Sequence, residues 1–334
     1  MTYLLAADIG GTKSDLAIAD VSTRHSPSPL CRQQYQNDDF EDFDHLLSAF
    51  LQQHEQLSPS LACLGVAAVV RKENVTLTNR DWTLDSSHLQ QIFGFTDIAL
   101  INDLTALCSA VPGLKGPGQL KTIQQGQREA DGSMAVIAPG TGLGEGFLIS
   151  SGTCFHPRGS EGGHCDFAPL NREQEQLLHF LQNRYSSVSY EMLCSGLGIP
   201  HIFDFLSTTD IARDASRLDI IRQATDRTPP IVAGATGKPA CPLCAGTLSL
   251  FMEILGAEAG NLALKTYSTG GLFIGGGILP RIAARISFDS FLKFFRQKEK
   301  MISLMESIPV HLILQRDAAL LGTIRYGRHI FAEK

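Results

Sequence analysis

The chain has 334 residues, 43% of them hydrophobic and 19% charged, with a formal net charge of −6. That length suits about two domains of roughly 100–200 residues each, whose cores need no disulfide or structural metal. The acidic balance and the lack of a long Lys/Arg run speak against a nucleic-acid partner, because phosphate-backbone binding requires clustered cations.

Tyr3–Asp8 reads as a buried strand that Gly10 and Gly11 break, and Ser14–Asp20 reads as a second strand. The span between them is too short for a crossover helix, so an antiparallel hairpin is expected. No Lys/Arg-led apolar segment precedes the first strand, and no window approaches ~18 uninterrupted apolar residues. The expectation is therefore a cytoplasmic protein without a membrane partner, whose eight cysteines are reduced. Within Asp8-Ile9-Gly10-Gly11-Thr12-Lys13, paired glycines let backbone N–H groups approach phosphate oxygens, and Thr12 adds a hydroxyl. Asp8, at the strand end, is placed to hold the hydration shell of a Mg²⁺ that accompanies ATP. A plain tight turn is the alternative.

Phe40–Glu55 has helical spacing, Leu61–Val70 is an apolar strand, and Val75–Thr78 is a short one. His88–Phe93 reads as a helix, Asp97–Ile101 as a strand and Thr105–Val111 as a helix start. Asn102-Asp103 stands at that strand's end, where α/β folds bind ligands and where a carboxylate can take a hydroxyl proton. Capping of the following helix is the competing role.

The Pro/Gly-rich stretch Pro112–Gly118 marks a domain boundary. Beyond it, Met134–Ala138 and Gly146–Ser150 repeat the opening strand–glycine turn–strand pattern around Pro139-Gly140-Thr141-Gly142-Leu143-Gly144. Two such turns could clamp a polyphosphate from both sides. In Glu161-Gly162-Gly163-His164-Cys165-Asp166, the two glycines would let Glu161 and His164 turn into one pocket suited to sugar hydroxyls, although a lone His is often structural. Helices are expected at Glu173–Tyr185, Glu191–Gly196 and Pro200–Leu206, with Glu191 in a first turn where the dipole favours it. Pro229–Gly237 reads as a loop and Ala245–Thr266 as a long helix. Cys241 and Cys244 supply only two of the four ligands of a structural zinc, and they read as core thiols. Gly275-Gly276-Gly277 follows the strand Leu272–Ile274 and allows a flat ring against the backbone, or simply a tight turn, before a helix over Pro280–Ile286. Val310–Leu314 is a late strand and Asp317–Gly327 a closing helix. The alternation gives an α/β class with two related halves.

Taken together, ADIGGTK, LTNRDW, LIND, APGTGLG, SEGGHCDFAP, YEMLCSGLG and GGLFIGGGILPRI closely resemble, in order and over the whole chain, the bacterial glucokinase family of the sugar kinase–Hsp70–actin superfamily. The resemblance implies two ribonuclease-H-like (actin-like ATPase) α/β domains that close a central cleft over the sugar. It implies a small domain of 1–112 plus 317–334, a large domain of 113–316, and a homodimer. It implies ATP-dependent phosphorylation of glucose at the 6-hydroxyl with Mg²⁺ held mainly through ATP, and Asp103 as general base. Asn102, Glu161, His164 and Glu191 would bind hydroxyls, with Asn79 lining the same pocket. Gly10, Gly11 and Thr12 would form one phosphate loop, Gly140, Thr141 and Gly142 the other, and Gly275, Gly276 and Gly277 the adenosine element. Lys13 departs from the Asn frequent in this branch and matches the related repressor–ORF–kinase branch. A kinase for mannose, fructose or N-acetylmannosamine, and a sugar-sensing regulator without catalysis, are the alternatives.

Overall fold

The computed structural model describes residues 1–22, 28–68, 70, 74–77, 80–152, 154–211 and 215–332. The chain forms two compact units. The first takes Met1–Gln119, Leu148–Gly159 and Gln315–Lys334, and the second takes Leu120–Phe147 and Ser160–Leu314.

In the first unit, β1 (Tyr3–Ile9), β2 (Lys13–Asp20), β3 (Pro29–Gln36) and β4 (Leu61–Val66) are followed by the small hairpin β5 (Asn74–Thr76) and β6 (Thr83–Asp85), then by β7 (Asp97–Asn102). The main sheet has the order β3-β2-β1-β4-β7. The β1–β2 hairpin is antiparallel as expected, while β1–β4 and β4–β7 are parallel. β1 is apolar from Leu4 to Ala7 because both of its faces are covered, and it carries Asp8 near its end. Leu5, Ala7 and Ile9 pack with Phe43, Leu46, Leu47 and Phe50 of the helix Phe43–Gln53, which Asp42 caps by accepting the His45 N–H at 2.9 Å. Leu4 and Ala6 pack on the other side with Ala106 of the helix Asp103–Ala110 and with Leu320 and Ile324 of the closing helix Ala318–Ala332.

The second unit carries β8 (Leu120–Gln124), β9 (Met134–Pro139), β10 (Leu143–Ser151), β11 (Cys154–Ser160), β12 (Gly271–Ile274) and β13 (Val310–Ile313), in the order β11-β10-β9-β12-β13-β8. β12 is parallel to both β9 and β13. Setting β8 aside, the order of the first sheet appears a second time, so the internal repeat read from two glycine turns is a repeat of topology. The two ribonuclease-H-like α/β halves are present. The long helix Pro242–Thr266 packs on the helices Asp289–Arg296, Thr228–Thr236 and Ile199–Leu206. It is long and apolar enough to span a bilayer, but 78% of its most apolar window is buried in the protein, so it is a core helix. Cys241 and Cys244 are buried at its start.

Four expected elements differ. Glu191–Gly196 is a series of turns, not a helix. A helix would send the Gly196 N–H to the Met192 carbonyl, but it donates instead to Gly140 (2.7 Å), while Met192 is engaged by His201 Nδ1 at 2.9 Å. Pro229–Gly237 is largely helical, within Thr228–Thr236, because its prolines fall in the first turn, where their missing N–H groups cost nothing. The helix expected over Pro280–Ile286 is one turn, Leu279–Ile282, and the closing helix runs on to Ala332.

Candidate active site

In the first unit, Asp8 shares the face of β1 that carries Leu4 and Ala6, so the two-residue period aims it along the side where the helix beginning at Asp103 packs. The carboxyl groups interact. Asp8 is pushed up to about 7, chiefly by desolvation and then by Asp103 and Asp15, against the lowering effect of Arg32. Arg32 grips Asp15 through Nε at 2.9 Å and Nη2 at 2.5 Å, and its Nη1 reaches Asp317. Asn102 caps the helix by accepting the Leu104 N–H at 2.8 Å, and its Nδ2 donates to the Ala68 carbonyl at 3.2 Å. Asp103 Oδ1 accepts the same Leu104 N–H at 2.9 Å. The capping role read as the alternative for this dipeptide is therefore present, supplied by Asn102 with Asp103 beside it.

The Gly10–Lys13 turn closes with a Gly10 N–H···O=C Lys13 bond of 3.0 Å. Thr12 and Lys13 are exposed, and Gly10 and Gly11 partly so. The fully buried Asn37 braces this turn from outside it. Its Nδ2 donates to the Gly10 carbonyl at 2.8 Å and the Gly11 carbonyl at 3.3 Å, its N–H donates to the Thr12 carbonyl at 2.9 Å, and its Oδ1 accepts from Ser14 Oγ at 2.8 Å. Sequence reasoning missed Asn37, because a polar residue after an edge strand carries no local mark of being buried.

In the second unit, Glu161, His164 and Glu191 come together. His164 Nε2 lies 3.8 Å from Glu161 Oε2, and Nδ1 lies 3.7 Å from Glu191 Oε1. Gly162–His164 is a 3₁₀ turn, which folds the two side chains back over the two glycines as their spacing suggested. Glu191 also fixes the second glycine turn: Oε2 accepts the Leu143 N–H at 2.9 Å, and its own N–H donates to the Gly163 carbonyl at 2.8 Å. The glycines are sterically required. A Cβ at Gly142 would collide with Glu191 Oε2, and one at Gly163 with the Leu143 carbonyl.

The Gly275–Gly277 run sits against this turn. The Gly275 N–H donates to the Ile137 carbonyl at 2.8 Å. Gly276 has φ +79°, and a Cβ there would strike the Pro139 carbonyl. Gly140, Thr141 and Gly277 line a cavity of about 440 Å³, whose far wall includes Thr228, Pro229 and Val232 of the helix misread as a loop. Nothing local in that Thr-Pro-Pro segment marks it as a cavity wall.

Asn79 lies outside the described residues. Among the described residues, no group of three His, Cys, Asp or Glu side chains could hold a metal alone. Asp8 nevertheless fits a cation carried by phosphates. Burial is the larger cause of the raised Asp8 pKa, and the negative charges of Asp103 and Asp15 add to it against Arg32, so a cation there would oppose that second cause.

The comparisons agree over the full length. The family model described as glucokinase matches residues 5–330. The glucokinase of Trichormus variabilis is 39% identical over 335 residues, covering 96% of this chain and 98% of that protein. The glucokinase of Nostoc punctiforme is 38% identical, with 96% and 98% covered. A solved glucokinase from an Antarctic psychrotroph superposes with a TM-score of 0.84 at 30% identity, covering 98% of this chain and 99% of that one. With Asn102 capping the helix that Asp103 opens, the Glu161–His164–Glu191 cluster assembled and a glucokinase family model matched over residues 5–330, the chain belongs to the glucokinase family.

Proposed function

We propose that this protein transfers the γ-phosphoryl group of ATP to the 6-hydroxyl of glucose. The observation that carries the reading is the double engagement of Glu191. One oxygen faces His164 of the hydroxyl-binding cluster and the other holds the Leu143 amide of a phosphate-binding turn, so acceptor and donor elements share one framework. Phosphoryl transfer asks of the protein positioning, charge neutralisation and a base. Asp103 accepts the proton of the 6-hydroxyl, and Asn102 holds the start of its helix. Glu161, His164 and Glu191 orient the other hydroxyls; the histidine and one carboxylate of this trio are well exposed and able to meet a ligand. Gly10, Gly11 and Thr12 and Gly140, Thr141 and Gly142 present backbone amides to the phosphates, and the cavity beside Gly277 takes the adenosine. A Mg²⁺ bound with ATP would neutralise phosphate charge and would be held through the nucleotide and Asp8.

In a coupled ADP-release assay with ATP and Mg²⁺, glucose is expected to exceed mannose, fructose and N-acetylmannosamine in kcat/KM by about tenfold or more. A higher value for another of these sugars, or no turnover with any, rejects the assignment. Asn37→Ala tests the first turn. It leaves the Gly10 carbonyl and Ser14 Oγ without their buried partner, which costs about 1–3 kcal/mol. A lower melting temperature and a several-fold rise in KM for ATP are expected, with KM for glucose little changed.

A further inference from the structure

Glu145 on β10 is 2% exposed, and its register along the strand matches that of the core residue Leu143. Its Oε1 has no hydrogen-bond partner. Its Oε2 presses against Gly162, where any Cβ would collide with it. Its backbone carbonyl accepts Ser160 Oγ at 3.1 Å, and Ser160 Oγ in turn accepts the Gly162 N–H at 3.3 Å. Glu145 therefore meets the Glu161–His164 turn twice, through its backbone carbonyl by way of Ser160 and through its carboxyl packed against Gly162.

A second acid stands behind it. Glu258, from Pro242–Thr266, is fully buried and raises the Glu145 pKa, which desolvation first and Glu258 second push up to about 7, with Lys265 opposing. Glu258 itself is raised by burial. Its Oε2 accepts from Asn261 Nδ2 at 2.8 Å, and the same amide lies 3.3 Å from the Tyr190 hydroxyl, one residue before Glu191. The other groups around the pair are Cys194, whose thiol is raised by burial and by both acids, Lys265 at 3.9 Å from Glu258, and Lys298, which donates to Asn261 Oδ1 at 2.5 Å and is lowered by burial. The pair thus abuts both segments that supply the hydroxyl-binding residues.

We propose that Glu145 is a positioning residue for sugar binding: with one proton on the Glu145–Glu258 pair, the Glu161–His164 turn and the Tyr190–Glu191 segment are held in register, and loss of that proton loosens them. This rests on the sugar-kinase reading above. A second negative charge in this buried space has no partner for Oε1, and it can be relieved only by movement against Gly162 or by water entry. The sign follows from the raised pKa. The folded chain keeps a proton that the unfolded chain releases near 4.5, so the contribution is full below about 4.5 and is lost as pH rises through about 7.

The test is steady-state kinetics on wild type, Glu145→Gln and Glu145→Ala between about pH 5 and about pH 9, with melting temperatures alongside. Wild-type KM for glucose is expected to rise severalfold as pH climbs through about 7, beyond any change in kcat. Glu145→Gln, an uncharged mimic of the protonated acid, is expected to hold the low-pH KM across that window. Glu145→Ala is expected to raise KM at every pH while changing kcat little. A Glu145→Gln profile that tracks wild type overturns the proposal, as does an unchanged KM in a folded Glu145→Ala variant. Should Glu145→Ala fail to fold, the glutamine variant decides alone. Absence of turnover with glucose in wild type sinks the glucose reading instead, and the same comparison then runs on whichever sugar of the panel is phosphorylated.

Discussion

Asp103→Ala is expected to lower kcat by roughly 10²–10⁴-fold, the range that general-base removal costs, while glucose still binds with an affinity close to wild type. The structure makes this a clean substitution. The helix Asp103–Ala110 does not depend on Asp103 for its cap, because Asn102 Oδ1 accepts the same Leu104 N–H at 2.8 Å. A loss of activity therefore cannot be passed to an unravelled helix, and the melting temperature should move little. Asp103→Asn is the sharper control. It keeps an acceptor for the Leu104 N–H but takes no proton, so its kcat should fall nearly as far. Asp8 supplies an independent readout. Part of its upward shift comes from Asp103, so removing that charge should bring the Asp8 pKa down towards the usual carboxylate range, while desolvation, the larger cause, keeps it raised. Isothermal titration with glucose and the coupled kinase assay measure both sides. A kcat within a few fold of wild type would move the base elsewhere.

Much of the fold could be read from the chain because both sheets are covered on two faces. A strand buried on both sides needs apolar residues at nearly every position, and β4, β9 and the Leu4–Ala7 stretch of β1 carry such runs. The edge strands β3, β8 and β11 escaped, as did β6. β3, Pro29–Gln36, alternates between partly buried and exposed positions, but Gln33 stands at an inward position between Cys31 and Tyr35 and hides the period. The site separated along the same line. Groups that the local motif itself brings together, such as Glu161 with His164 and the glycine turns, were legible as neighbours. Groups that act through distant contacts were not. Asn37 braces a turn over 20 residues before it in the chain, and Glu145 lies against Gly162 from a position 17 residues earlier. The Glu191 segment shows the reverse failure: the residue was found, but its helix was not there, because the Gly140 carbonyl captures the amide that a helix would need. Local pattern predicts local hydrogen bonding, and this turn is held by a tertiary bond.

Gly322→Ala should destabilise the protein, although glycine-to-alanine within a helix ordinarily stabilises by about 0.5–1 kcal/mol. Gly322 lies in the closing helix Ala318–Ala332, where that helix crosses Asp103–Ala110. A Cβ there would overlap the Ala106 carbonyl and approach the Ala110 N–H at 2.9 Å. Both obstacles are backbone, so no rotamer change relieves them and the helices must separate. Overpacking of this kind costs about 1–3 kcal/mol, and occasionally more. In a unit of this size that is a fall in melting temperature of several degrees. Gly327→Ala in the same helix is the comparison, because its Cβ would meet the Leu4 side-chain tip and the Cys63 Cβ, and Leu4 can give way. Its penalty should be smaller. The effect on catalysis follows from the same geometry. Asp103 is the first residue of the helix that Gly322→Ala pushes away, so kcat should drop along with stability, while KM for ATP at the second unit's glycine turns should hold. A Gly322→Ala protein as stable as wild type would mean that the two helices do not cross at this glycine, and that the closing helix does not set the position of Asp103, the proposed general base.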